Sequence, residues 1–159
     1  MPDDRIIDIV SHLNEGRTLI DSAEERLQLA ELNLRAGIRA KRSAAYDAAL
    51  EYLRVAAEQL PEDPWRETPT LMRALAAETQ QCCYLTGRAE EADQWIGILL
   101  GHAHIDLERS DILATRTRQY ATLGRMEESI LAAIQGWPSS VWSLPTTHGG
   151  RYRRGATTG

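Results

Sequence analysis

Residues with the chemical types for catalysis or metal binding are present in this chain, but their spacing rarely lets them converge. His102 and His104 stand two apart, with Asp106 close by. A tetrahedral metal site needs at least three converging ligands, and residues two apart on a helix point in different directions. The pattern therefore predicts a helix terminus, where an imidazolium is mildly favoured, and no metal ligand is assigned. Cys82 and Cys83 are adjacent, which makes a disulfide between them hard to close; they read as small buried core residues. The pairs Glu24–Glu25, Glu90–Glu91 and Glu127–Glu128 fall in first turns of predicted helices, where they favour the helix dipole without any catalytic role.

Nucleotide chemistry has no visible place. The chain holds no Gly-x-x-x-x-Gly-Lys-Ser/Thr loop, no Gly-x-Gly-x-x-Gly and no kinase catalytic loop, the backbone and side-chain devices that hold phosphates. His12, in Ser11-His12-Leu13-Asn14, is faintly like a phospho-accepting histidine but lacks a companion nucleotide motif, so it reads as an ordinary helix histidine. Arg151, Tyr152, Arg153 and Arg154 form a short basic cluster beyond the last acidic residue, Glu128. Residues 1–136 carry a net −8 and the remainder +3, a break that predicts a boundary near Gly136. A whole-chain net charge of −5 argues against a nucleic-acid surface. No catalytic, cofactor-binding or metal residue is assigned, and the chain reads as non-enzymatic.

The elements that would position any site are helical. Phe is absent, and Ala and Leu dominate, a composition for close-packed helices rather than a sheet. Ile6, Ile7, Val10 and Leu13 make one stripe, ended by Gly16. Ser22-Ala23-Glu24-Glu25 is a capping box, and Leu27, Ala30 and Leu34 follow at helical spacing. Tyr46, Ala49, Leu50, Leu53 and Ala56 form a third stripe that stops at Pro61 and Pro64. After a 61–69 linker, residues 70–86 read as helix, closed by Gly87. Further stripes are Ala89, Ala92, Ile96 and Leu99, then Leu113, Tyr120 and Leu123, then Met126, Ile130, Ala133 and Ile134. Residues 137–159 lack periodicity and are expected to be an irregular, disordered tail, with Trp137, Val141, Trp142 and Leu144 able to fold back on the last hairpin and residues 146–159 disordered.

A repeat organises these stripes. Gly87-Arg88-Ala89-Glu90-Glu91-Ala92 recurs 37 residues later as Gly124-Arg125-Met126-Glu127-Glu128-Ser129, each after a helix bearing a tyrosine, Tyr84 or Tyr120. Gly37, Tyr46, Ala49, Leu53, Ala56 and Pro61 add a first unit. This resembles the tetratricopeptide (TPR) pattern, in which glycine makes the turn inside a hairpin and small residues allow close crossing. The fold expected is all-α, antiparallel helical hairpins stacked as a short TPR-like solenoid over residues 1–136.

A more specific resemblance lies in Ile7-Asp8-Ile9-Val10-Ser11-His12-Leu13-Asn14, in Arg26-Leu27-Gln28-Leu29-Ala30-Glu31-Leu32-Asn33-Leu34-Arg35-Ala36-Gly37, and in Ala40-Lys41-Arg42-Ser43-Ala44-Ala45-Tyr46. These segments, with Ala49–Leu53 and Tyr84–Gly87, are similar to the helical region of very large bacterial signalling proteins that join a serine/threonine kinase, an AAA-type ATPase, a GAF domain and a sensor histidine kinase. The resemblance implies a connector and interaction surface for protein partners or sibling modules, and none of the family's catalytic residues map here. It also implies a fragment of a larger protein, with a tail read from an altered frame. With no apolar run near the roughly 20 residues that span a bilayer and no signal sequence, the expected setting is cytoplasmic. The function expected is a non-catalytic scaffold of signal transduction, capable of self-association; the alternative is a piece of a multidomain kinase active only with its other modules.

Overall fold

The computed structural model describes residues 5–136. They form helices α1 (Ile6–Glu15), α2 (Ala23–Arg42), α3 (Tyr46–Glu58), α4 (Pro64–Glu67), α5 (Pro69–Leu85), α6 (Ala89–Gly101), α7 (Asp106–Thr122) and α8 (Met126–Gly136), with a 3-10 turn at Arg17–Leu19. No strand occurs among the described residues. Residues 137–159, including the aromatic segment and the arginine cluster, lie outside the described residues.

Neighbouring helices pair as α2 with α3, α5 with α6 and α7 with α8, while α3 packs on α5 and α6 on α7. One turn recurs inside each pair. Ala44, Gly87 and Gly124 all adopt left-handed backbone, with φ of 59°, 78° and 74°. After each, the next amide bonds a carbonyl five residues back: Ala45 to Ala40 at 2.9 Å, Arg88 to Cys83 at 2.8 Å, Arg125 to Tyr120 at 2.9 Å. This six-to-one bond satisfies the last helical carbonyls and reverses the chain. Five positions after each turn residue stand Ala49, Ala92 and Ser129, all buried. Small side chains there let two backbones approach. In the first pair a Cβ on Gly37 would lie 3.0 Å from the Leu53 side chain and 3.3 Å from the Ala49 carbonyl. In the third, the Ser129 hydroxyl donates to the Thr117 carbonyl at 3.1 Å.

Ser22 caps α2, its Oγ accepting the Glu25 amide at 3.4 Å, the first half of the expected capping box. Leu34, Leu53, Ala56, Leu75 and Cys82 join α2, α3 and α5 in one core cluster. Burial of residues as large as Leu53 and Leu75 contributes about 1.5–3 kcal/mol each. α1 lies on α2 through Ile6, Val10 and Ala36 and through a reciprocal amide pair, Asn14 with Asn33, at 2.8 Å in both directions.

Four sequence expectations change. The 61–69 linker contains the helical turn α4, which Pro64 can start because its missing amide is not needed there. Leu13, at the end of the α1 stripe, and Leu123 are exposed rather than inward. The stripe expected to bury α8 does not: Ile130 and Ile134 are each 54% exposed and Ala133 is exposed, whereas Ser129 and Ala132 face the core. α8 presents its small residues to α7, so its large apolar ones point away. Finally, Tyr84 and Tyr120 are not equivalent, since Cys83 makes the turn bond that Tyr120 makes.

Candidate functional site

Two histidines singled out in the sequence occupy structural positions at the start and end of helices. His102 stacks on Trp65 with ring centroids 3.9 Å apart and planes 6° from parallel, and its Nδ1 lies 2.9 Å from the Ile98 carbonyl. His104 uses its backbone amide, which donates to Glu108 at 3.1 Å; that bond, then Arg73, holds the Glu108 carboxyl below its ordinary range. Asp106 is the exposed first residue of α7. No group of three metal-ligating side chains occurs among the described residues. His12 is exposed beside Glu15. The pairs Glu24–Glu25, Glu90–Glu91 and Glu127–Glu128 do lie in first turns, of α2, α6 and α8.

Cys82 and Cys83 are buried free thiols. Burial raises both; Cys83, with the Glu91 carboxylate adding to the effect, is pushed up to about 11. A thiol held protonated is a poor nucleophile.

What the fold builds instead is a groove along α5 and α7. Thr70, Arg73, Ala74 and Ala77 line a depression of about 720 Å³ together with Trp65, His102, His104 and Glu108. Gln81, Tyr84 and Leu85 continue the same face of α5 and, with Thr115, Arg118, Gln119 and Thr122, line a second depression of about 280 Å³. Spacings of three, four and seven residues put these positions on successive turns of one helical face. Small residues, Ala74 and Ala77, open the first part of the groove; longer polar side chains narrow the second.

Paired groups tie the two walls. Gln80 Nε2 donates to Gln119 Oε1 at 2.7 Å, and Gln119 Nε2 returns the bond at 3.2 Å. Gln80 is buried, so the pairing satisfies an amide that would otherwise be costly to desolvate. Arg73 and Glu108 form an ion pair across the wider end. Behind α7, the Tyr120 hydroxyl donates to Asp93 at 2.6 Å. Arg116 and Arg125 flank the Tyr120 ring at 5.1 and 4.4 Å and approach Asp93 at 3.5 and 3.6 Å. This knot fixes α7 against α6 and the α7–α8 turn. Burial, then the bond to Asp93, raises the Tyr120 phenol.

None of the groove residues except Tyr84 and the two histidines stood out in the sequence. The available signal was the α5 face opposite its buried residues Met72, Leu75, Ala76 and Cys83, a run of small and polar residues rather than a charged solvent face.

Comparison with known proteins gives a limited likeness. The chain is similar to "Hybrid signal transduction histidine kinase G" of Dictyostelium discoideum, 28% identical over 139 residues, which cover 82% of this chain and 4% of that protein. The chain thus spans a small part of the relative it matches. That relative's source is eukaryotic, whereas the resemblance expected was to bacterial proteins, and its name carries neither a serine/threonine kinase nor an ATPase. No protein-family model matches the chain, and no solved structure does. No described helix is long and apolar enough to cross a membrane.

Proposed function

We propose that this chain is a non-catalytic scaffold module of a signal-transduction protein, its three helical hairpins stacked as a TPR-like array that holds a segment of a protein partner in the α5–α7 groove. The observation that carries this reading is the pair of depressions that follow one face of α5 beside α7, lined by half-buried and exposed side chains. The thrice-repeated left-handed turn supports the array, and the likeness to a signalling histidine kinase supports the setting. Amide and hydroxyl side chains such as Gln81, Thr115 and Thr122 suit peptide backbone, which needs donors and acceptors as well as apolar contact.

The test is selection of a random peptide library on the 159-residue chain, beside a plugged variant carrying Thr70→Trp and Thr122→Trp. Both positions are exposed and line the groove, so the variant should keep its helicity. Peptides enriched on the native chain and lost on the plugged one support the reading. Enrichment indifferent to the plug, or none, contradicts it.

A second reading rests on the 4% span of the histidine kinase: the module acts only in cis, as a connector among the other modules of a multidomain kinase. Under it, the groove takes a segment of the same polypeptide.

A further inference from the structure

The groove holds one charge that the described residues do not neutralise. Arg73 is paired with Glu108, Lys41 beside the groove with Glu78, and Arg116 and Arg125 with Asp93. Arg118 is exposed, and its guanidinium reaches only the Thr115 hydroxyl, at 3.2 Å. In a chain of net charge −5, an uncompensated cation inside a groove selects for an anion there. Thr115 and Thr122 donate their hydroxyl protons to carbonyls of their own helix, at 3.1 and 2.9 Å. Thr122 keeps both lone pairs, and Thr115 keeps the one that Arg118 does not use, to accept an amide proton from a bound chain.

The other end of the groove is wider, and Ala74, Ala77 and Trp65 give it an apolar wall beside the Arg73–Glu108 pair. Along α5, at 1.5 Å per residue, the step from Ala74–Ala77 to Gln81–Leu85 is about 11 Å. An extended peptide covers that in roughly three or four residues at about 3.3 Å each. A single cation is too little for a nucleic-acid backbone, which calls for several phosphate contacts.

Building on the groove reading above, we infer that the occupant is an extended peptide that sets a carboxylate against Arg118 and an apolar side chain, three or four residues away, over Ala74 and Ala77 beside Trp65. The carboxylate gains a charge-assisted bond to the Arg118 guanidinium. The apolar side chain fills space that the small α5 residues leave open.

Fluorescence anisotropy on the full chain tests this with pools of labelled eight-residue peptides. Each pool has Glu, Gln or Lys fixed at one position and Leu or Ser fixed four residues away. The Glu/Leu pool should bind about tenfold more tightly than the Gln/Leu pool and more tightly than the Glu/Ser pool. In Arg118→Ala, an exposed substitution checked for unchanged helicity and melting, the Glu and Gln pools should become equal. Equal binding of Glu and Gln pools to the native chain, or a preference for Glu that survives Arg118→Ala, overturns the assignment. Should pools bind without that preference and still be excluded by the plugged variant, the carboxylate assignment falls while the groove reading stands. Absence of binding by every pool overturns both.

Discussion

Replacing Ala44 by glycine should stabilise this protein. Ala44 sits at φ 59°, in the turn position that Gly87 and Gly124 fill at 78° and 74°. A residue with a Cβ in that region carries about 1–2 kcal/mol of steric cost. Glycine removes it but gives the unfolded chain more freedom, which returns about 0.4–1 kcal/mol. The difference predicts a net gain of about 0.5–1 kcal/mol, or roughly 1–4 °C in melting temperature. The reverse changes, Gly87→Ala and Gly124→Ala, add a Cβ that meets nothing within 4 Å, so their cost is that of the backbone alone: similar in size and opposite in sign. Urea unfolding followed by circular dichroism at 222 nm measures all three, with the midpoint moving and the slope constant. A lower midpoint for Ala44→Gly, or no loss in the two glycine variants, would refute the equivalence of the turns.

Gly37→Ala should destabilise by a net of up to about 2 kcal/mol, overpacking against Leu53 and Ala49 costing about 1–3 kcal/mol against the roughly 1 kcal/mol that alanine gains in helix propensity. Adding Leu53→Ala should cost less in that background than in the native chain, as a double-mutant cycle in denaturant will read. Gln80→Ala and Gln119→Ala should each cost about 1–2 kcal/mol, because either leaves an amide in the α5–α7 wall without its partner; the double variant should lose less than their sum. Cys83 has a folded value of about 11 against an ordinary value of 9.0. The unfolded state therefore binds fewer protons between those two pH values, and stability falls as pH rises through that window. Cys83→Ala should flatten that alkaline limb, read from urea midpoints at pH 8.5 and about 10.5. Neither thiol should react with Ellman's reagent at neutral pH while the chain is folded.

Helix positions were legible because capping and punctuation are local. Ser22, Gly87 and Gly124 mark ends by their own backbone and side-chain chemistry. The first turn was hidden because Ala44 does a glycine's work, which composition does not reveal. The facing of α8 was misread for a physical reason. A stripe rule assumes that the most apolar side is buried, but in this helix pair the inner side needs small residues, here Ser129 and Ala132, and the outer side can be apolar too. Tyr84 and Tyr120 look alike in the sequence because both are aromatic near a glycine; one residue of register separates a groove wall from a buried knot. The groove was out of reach altogether. Its walls come from α5 and α7, joined by Gln80 and Gln119, which are 39 positions apart, and half-exposed Ala, Thr and Gln residues have no signature in a linear pattern.

The most direct test of a partner-binding groove is a 15N–1H correlation titration of the 159-residue chain with the tightest selected peptide. Amide shifts concentrated at Ala74, Ala77, Gln81, Tyr84, Thr115, Arg118 and Thr122, and silent in α1 to α3, are the predicted result. Shifts centred on α1 to α3, or on the exposed Ile130 and Ile134 face of α8, would place binding elsewhere and contradict the assignment of this groove.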